Sequence, residues 1–316
     1  MADAYTGIAA SSFDQAAWEK AAYYALRFEF YFDAVATVKA TNQSQNGSSV
    51  AFTIQNDLSA ATTALSESTD VSAVAMSDSQ VTVTLVEQGN TVKTTALLRG
   101  TTMIPFDPVV ANVIGYNAGI SLDSIAVNVL KAGTNVDYAG QAVSRATVIP
   151  TDVITGNLCR REVAKLRGGG VLPINGYYVA FIHPDVSYDL RGAVGAGSWR
   201  DPHVYSEPAD IWNGEVGVFE GARFIETPRA PLFADAGSST TLTDTYRTLF
   251  VGQEVLAKAH SLSDGNGPMP SIVPGPVTDS LRRFVPMGWY HLVGYSIFRQ
   301  TAIRAVESAS SIGTNS

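Results

Sequence analysis

Residues 107–133 read DPVVANVIGYNAGISLDSIAVNVLKAG, and the reading of that stretch decides the fold. Asp107 suits the cap of a helix and Pro108 its first position, while Lys131 offers a cation for the last turn and Gly133 a left-handed stop. Between them Leu122, Ile125, Ala126, Val129 and Leu130 recur at helical spacing, and Val110, Val113 and Ile114 carry the stripe toward the start. At the helical rise, roughly 24 residues make a rod of about 36 Å, longer than an average helix. Gly115 and Gly119 lower helix propensity and are expected to let another backbone come close. Such a rod is either the core helix of a globular domain or the spine of an extended subunit. The flanking sequence has to decide.

Composition narrows the choice. The 316 residues, 46% of them hydrophobic, suffice for one large or two ordinary domains with a proper core. No uninterrupted apolar run reaches membrane-span length, and MADAYTGIAASS at the N-terminus has neither a basic nor a continuous apolar leader segment, so a soluble protein made in the cytoplasm, with no membrane partner, is expected. Cys159 is the only cysteine, which excludes an intrachain disulfide and a cysteine-built zinc site. The net charge of −8, from 21 basic and 29 acidic residues, disfavours tight binding to a phosphate backbone.

Upstream of the rod, Ser12 and Gln15 have capping-box spacing ahead of a helix expected over about Phe13–Phe32. Eight of the chain's 30 aromatic residues lie there, Trp18, Tyr23, Tyr24, Phe28 and Phe30 among them, and they surround the helix instead of forming one stripe. They need burial on more than one side, within this chain or against a neighbouring subunit. After the polar break at 41–49, Val50, Phe52 and Ile54 alternate as a half-buried strand. Residues 58–80 carry Glu67, Asp70 and Asp78 without any Lys, Arg, Gly or Pro, and read as a long, weakly hydrophobic excursion. Alternation resumes at Val81, Val83 and Leu85, a turn is expected at Gly89-Asn90, and a return strand runs from Thr91 to Leu98. Such a ribbon needs a surface to lie on.

Downstream, Thr151-Asp152 is expected to open a second helix with Ile154, Leu158, Cys159, Val163 and Leu166 inward, a solvated basic run (Arg160, Arg161, Lys165, Arg167) and a stop at Gly168-Gly169-Gly170. YYVAFI at 177–182 reads as a central strand, PDVSYDLRG as a helix, and Glu215–Phe219 with Ala222–Glu226 as a tight hairpin across Glu220-Gly221. Tyr246–Val251 is a further core strand, and two strands broken near Arg299-Gln300 are expected to pack by the long helix. Chemistry is sparse. His183 and Asp185 flank Pro184 as helix-start residues, and His203, His260 and His291 lack metal-ligand spacing. No dinucleotide fingerprint, P-loop or nucleophile elbow is present, and Asp264-Gly265-Asn266-Gly267 is only a fragment of a calcium loop. No cofactor and no metal are expected.

The set FDPVVANVIGYNAGISLDSIAVNVLKAGTNVDYAG, INGYYVAFIHPDVSYDLR, SWRDPHVYS, IWNGEVGVFEGARFIET and GWYHLVGYSIFRQTAIRAVES resembles tailed-bacteriophage major capsid proteins of the coliphage N4 type, over roughly residues 50–308. The resemblance implies an α+β fold of the Hong Kong 97 type. Its parts would be an N-terminal arm (1–49), an extended E-loop (50–99), a peripheral domain with the spine helix (100–149), an axial domain (150–279), and return strands with the C-terminal tail (280–316). It implies a coat protein, not an enzyme, that assembles with itself through hexamers and pentamers around DNA held without sequence-specific contacts. Its partners would be a portal, a separate scaffolding protein, since little sequence precedes residue 50, and a decoration protein. Contact candidates are Trp18, Tyr23, Tyr24, Phe28 and Phe30 on the arm, and Leu58, Glu67, Asp70 and Lys93 on the E-loop. Lys93 is the only lysine there and sits near the base, so no covalent cross-link between subunits is expected. The competing readings are a nanocompartment shell of the same fold and a monomeric α/β enzyme.

Overall fold

The structure is a computed structural model that describes residues 31–41, 49–65, 67–68, 70–101, 106–193, 215–261, 269–276, 279–281 and 283–312. The helix expected over 13–32, the block at 198–206 with His203, and the 264–267 loop therefore lie outside the described residues, apart from Tyr31 and Phe32. A 3-10 turn at Asp33–Val35 leads into strand β1 (Ala36–Thr41). Strands β2 (Ser49–Gln55), β3 (Asp78–Thr84) and β4 (Val86–Thr95) follow, then helix α1 (Ala96–Thr101) and the long helix α2 (Phe106–Leu130). After β5 (Val136–Tyr138) come α3 (Gly156–Gly168), β6 (Tyr178–Ile182), α4 (Pro184–Gly192), β7 (Glu215–Phe219) and β8 (Ala222–Glu226). The chain closes with β9 (Leu232–Phe233), β10 (Thr245–Val251), β11 (Leu256–Ser261), β12 (Ser271–Pro274), β13 (Phe284–Ile297) and β14 (Ile303–Ser308).

Two sheets share α2. One, of five strands, runs β1-β11-β13-β12, with β4 on the other edge of β13. The other, of seven, runs β5-β14-β10-β6-β8-β7, with β9 on β10. Strand β6 lies between β10 and β8 and is buried at every residue, which is why YVAFI is apolar without alternation. Glu220 (φ 52°) and Gly221 (φ 87°) close the β7–β8 hairpin, both in the left-handed region that a two-residue hairpin turn requires. The two expected C-terminal strands are present and both pack by α2, β13 against its first half and β14 against its last, but they join different sheets, β14 pairing with β10 and β5. In the same way β10 and β11, consecutive in sequence, belong to different sheets.

The expected turn at Gly89-Asn90 is absent. Strand β4 runs straight through it, paired with β13 from Val86↔Val293 to Thr95↔Phe284. Gly89 is there for close approach, since a Cβ at that position would lie 2.7 Å from the Trp289 carbonyl oxygen. The hairpin is instead β2–β3, in register from Ser49↔Thr84 to Gln55↔Asp78, and the excursion of residues 56–77 is its loop. At the hairpin's base Phe52 and Val83 pack on Ala257 and Ala259 of β11, whose small side chains leave room for them.

Helix α2 buries Val110, Ile114, Ala118, Leu122, Ala126 and Leu130, one residue in four. Each such step advances about 40° round a helix, so the stripe winds from one face to another. Its first half meets Trp289 and Met287 of the five-stranded sheet, and its last half joins Phe181, Ile225, Leu249 and Ile303 of the seven-stranded one. Val109–Leu130 is the one helix among the described residues long and apolar enough to cross a membrane. It is a core helix here, with Asp123 in its middle ion-paired to Arg229 (Nε–Oδ2 2.9 Å). Three expectations change. Gly133 is not left-handed but lies against Ile303. The cation at the helix end is Arg247, which donates to the Lys131 and Gly133 carbonyls. A Cβ on Gly115 would meet nothing within 4 Å, so no backbone of this chain approaches there.

Helix α3 starts later than Thr151-Asp152 suggested. Thr155 is its cap, accepting from the Leu158 amide, while the Asp152 carboxylate turns back to accept from the Ile149 amide at 3.0 Å. Its basic run is also less free than expected: Arg160 pairs with Glu220, and Arg161 and Lys165 pair with Asp137.

Candidate assembly surfaces

The excursion between β2 and β3 carries a run of exposed apolar side chains. Leu58 (55% exposed), Leu65 (77%), Val71 (61%), Val74 (68%) and Met76 (68%) point away from any core, and Glu67 and Asp70 are exposed beside them. It is anchored at its base by the strand ladder and an Asn56–Ser77 backbone bond of 3.0 Å. Five exposed aliphatic side chains on one loop are an exposed apolar surface of the kind that marks an interaction site. A second apolar margin lies at Leu97 and Leu98 of α1 and at Met269, Ile272, Leu281 and Phe284 around β12 and the start of β13. Lys93, the fourth contact candidate on this side, sits in mid-strand opposite Pro286 and is exposed. Leu58, Glu67 and Asp70 therefore share the excursion, Lys93 is on a different strand, and Trp18, Tyr23, Tyr24, Phe28 and Phe30 lie outside the described residues.

The point where the N-terminal segment joins the body is firmly built. Phe32 is fully buried, its ring 4.4 Å from that of Phe181, and its amide donates to Asp123 Oδ1 at 2.9 Å. Burial of such a ring stabilises by about 1.5–3 kcal/mol, and the ring pair adds about 0.5–1.5 kcal/mol. Asp33 accepts from Lys258 Nζ (2.7 Å) and from the Tyr295 hydroxyl (2.8 Å). Sequence reading missed this joint, although Asp123 between Leu122 and Ala126 was its signal: a carboxylate within an apolar stripe needs a partner.

Ion pairs fix the other rim. Fully buried Glu307 accepts from Arg145 (Nε 3.0 Å, Nη2 2.7 Å) and from Arg247 Nε (2.8 Å). Arg304 Nε donates to Glu162 Oε2 (2.7 Å) and its Nη2 to Asp137 Oδ1 (3.2 Å). Burial opposes ionisation of Asp137, but hydrogen bonds within the cluster and the Lys165 and Arg161 charges bring its carboxyl down to about 2. Glu162 moves the other way, raised chiefly by burial. These cations are committed to holding β5, β14 and α3 together.

His183 and Asp185 serve a helix start. His183 caps α4 through Nδ1, which accepts from the Asp185 amide (3.3 Å), and Asp185 Oδ2 accepts from the Tyr246 hydroxyl (2.7 Å). Burial pushes the His183 pKa down and the Tyr246 hydroxyl up. The three groups bind a helix start to a strand and hold no nucleophile beside a base. Among the described residues no group of three His, Cys, Asp or Glu could hold a metal ion. Cys159 is buried, and burial raises its thiol well above the usual range, leaving it inert.

Comparison with known proteins bears on the same surfaces. A family described as phage capsid protein matches residues 8–312. No curated protein matches the sequence. The fold is similar to the capsid of Ralstonia phage GP4, with TM-score 0.75 and 14% identity over 95% of this chain and 96% of that one. It is similar to the capsid asymmetric unit of cyanophage Pam1, with TM-score 0.66 and 14% identity over 99% and 100%. The head structure of Helicobacter pylori bacteriophage KHP40 gives TM-score 0.65 and 11% identity over 92% and 94%.

Proposed function

Because this chain belongs to the phage capsid protein family, and is thereby a structural protein of the virion and not an enzyme, we propose that its exposed excursion is the arm by which one copy grips the next in the shell. The observation that carries this reading is the set Leu58, Leu65, Val71, Val74 and Met76, aliphatic and exposed on a loop anchored at its base by the β2–β3 ladder. In the Hong Kong 97 type of fold residues 50–99, which include this loop, would be the E-loop, α2 the spine of a peripheral domain formed by residues 100–149 with 280–316, and residues 150–279 the axial domain. The subunit would close through heterologous contacts into rings of six and five that tile an icosahedral shell around the double-stranded DNA of a tailed phage of the N4-like subgroup. A portal and a separate scaffolding protein would complete assembly in the host cytoplasm, with a decoration protein on the outer surface. No inter-subunit cross-link is expected, because Lys93 lies in strand β4, opposite Pro286, and not on the excursion.

The test is particle size. The purified full-length chain, alone and with a candidate scaffolding protein, is examined by sedimentation and negative-stain imaging. Rings of five and six or closed shells are expected, with a single monomer band after boiling in denaturant. A chain that stays at 33.5 kDa under every condition overturns the proposal.

A further inference from the structure

Strand alternation places Trp289, His291, Val293 and Tyr295 of β13 on the side that faces α2, where Trp289 meets Val110, Ile114 and Ala118. The pairings His260↔Val293 and Lys258↔Tyr295 put Lys258 and His260 of β11 on that same side. The two imidazoles stack with centroids 6.5 Å apart and an interplanar angle of 25°, and both are buried, His260 at 3% exposure and His291 at 0%. His260 Nδ1 has no hydrogen-bond partner among the described residues. We propose that His260 and His291 form an acid-operated latch between the five-stranded sheet and helix α2, neutral while the seam is closed and protonated when it opens.

The charges around the pair explain why a proton is unwelcome there. On β11, Lys258 lies two residues from His260, its cation tied to Asp33. On β13, Tyr295 donates to the same Asp33 carboxylate. From α2 come Asn117, bonded to the Trp289 indole at 2.9 Å, and Asp123, already paired with Arg229. On β4, Gln88 stands opposite His291, while Glu87 is one residue off and accepts from Tyr290. Asp33, Asp123 and Glu87 are thus all committed, and a proton on His260 adds a cation to a seam that already contains Lys258. Burial first, and the Lys258 charge second, hold His260 below its ordinary pKa. The seam resists protonation while closed, and acid favours the opened form in which the rings are hydrated. The device lies within one subunit and does not depend on how shells are built.

The test uses the full-length chain in two measurements. With carbon-labelled histidine, NMR follows the rings of His183, His203, His260 and His291 from pH 8 to 5, assigned by single His→Gln variants. Hydrogen exchange, corrected for intrinsic pH dependence, follows α2. The expected result is that His260 and His291 stay neutral below the ordinary histidine range while the seam is closed. Protection of Val110–Leu130 should fall about tenfold between pH 7.5 and 5, a factor matching about one pKa unit, with β6 and β10 unchanged. In the His260→Leu/His291→Leu variant the protection of α2 should no longer depend on pH. Should that variant misfold, the wild-type chain decides alone: rings that titrate at the ordinary value, with α2 protection constant, overturn the latch.

Discussion

Glu307 shows how much one side chain can hold. It is fully buried on β14, and among the described residues it is compensated by the guanidiniums of Arg145 and Arg247, drawn from a 3-10 turn and from β10. Removing a buried carboxylate leaves Arg247 as an unpaired cation at the end of α2, a loss of about 3–5 kcal/mol. Glu307→Ala should therefore lower the unfolding free energy of the isolated chain by that amount, read as a lower urea midpoint at constant slope, and Glu307→Gln, which keeps hydrogen-bond acceptance, by clearly less. An alanine variant within about 1 kcal/mol of the parent would show that the pair only breaks even against desolvation. At this scale the sequence announces need but not partner. Asp123 and Glu162 stand out as carboxylates within apolar patterns, whereas Arg229 and Arg304, which satisfy them, lie more than a hundred residues away. His183 was legible outright, because a helix start before Pro184 is a local matter.

Elements were legible where their signals are local and misread where distant strands overrode them. Strand β6, helix α4 and the β7–β8 hairpin follow from runs and turns a few residues long. The turn placed at Gly89-Asn90 does not exist, because β13, some 200 residues on, takes β4 as its partner and uses the glycine for close contact. Gly294 has the same kind of role where the β2–β3 hairpin crosses β13: a Cβ there would lie 2.2 Å from the Thr84 carbonyl oxygen and 2.8 Å from Val83 Cγ1. Gly294→Ala should thus lift the hairpin base off the sheet at a cost of about 1–3 kcal/mol. Amides of Val81–Thr84 should then exchange faster, while those of β10 keep wild-type protection. Unchanged exchange in β3 would mean that the backbone gives way without loss. The long helix was legible in extent, but its winding stripe was not, because it is buried against two sheets that converge from separate parts of the chain.

The whole molecule is uneven in a way that suits a repeated contact between copies. From residue 40 to 92 the chain has Asp57, Glu67, Asp70, Asp78 and Glu87 and neither lysine nor arginine, whereas residues 280–306 have Arg282, Arg283, Arg299 and Arg304 and no acid. Three of those arginines are already engaged within the chain, Arg283 with Asp279, Arg299 with Glu254 and Arg304 with Glu162 and Asp137, so the charge that the excursion offers to a second copy is acidic, with its aliphatic side chains supplying the contact itself. Because Leu65, Val74 and Met76 are exposed and outside the buried core clusters, Leu65→Ser/Val74→Ser/Met76→Ser should leave the isolated subunit's unfolding free energy within about 0.5 kcal/mol of the parent for each site. The same substitutions remove apolar area from every contact in a shell, a loss multiplied by the number of copies. Shell yield by sedimentation should collapse, and raised protein concentration should recover it only in part. If the triple variant assembles at the parental yield and concentration, the excursion is not the gripping arm, and the margin around Leu281 and Phe284 becomes the surface to test. If it instead unfolds early, the loop is part of the subunit's own core, against its exposure, and the assembly reading loses the observation it rests on.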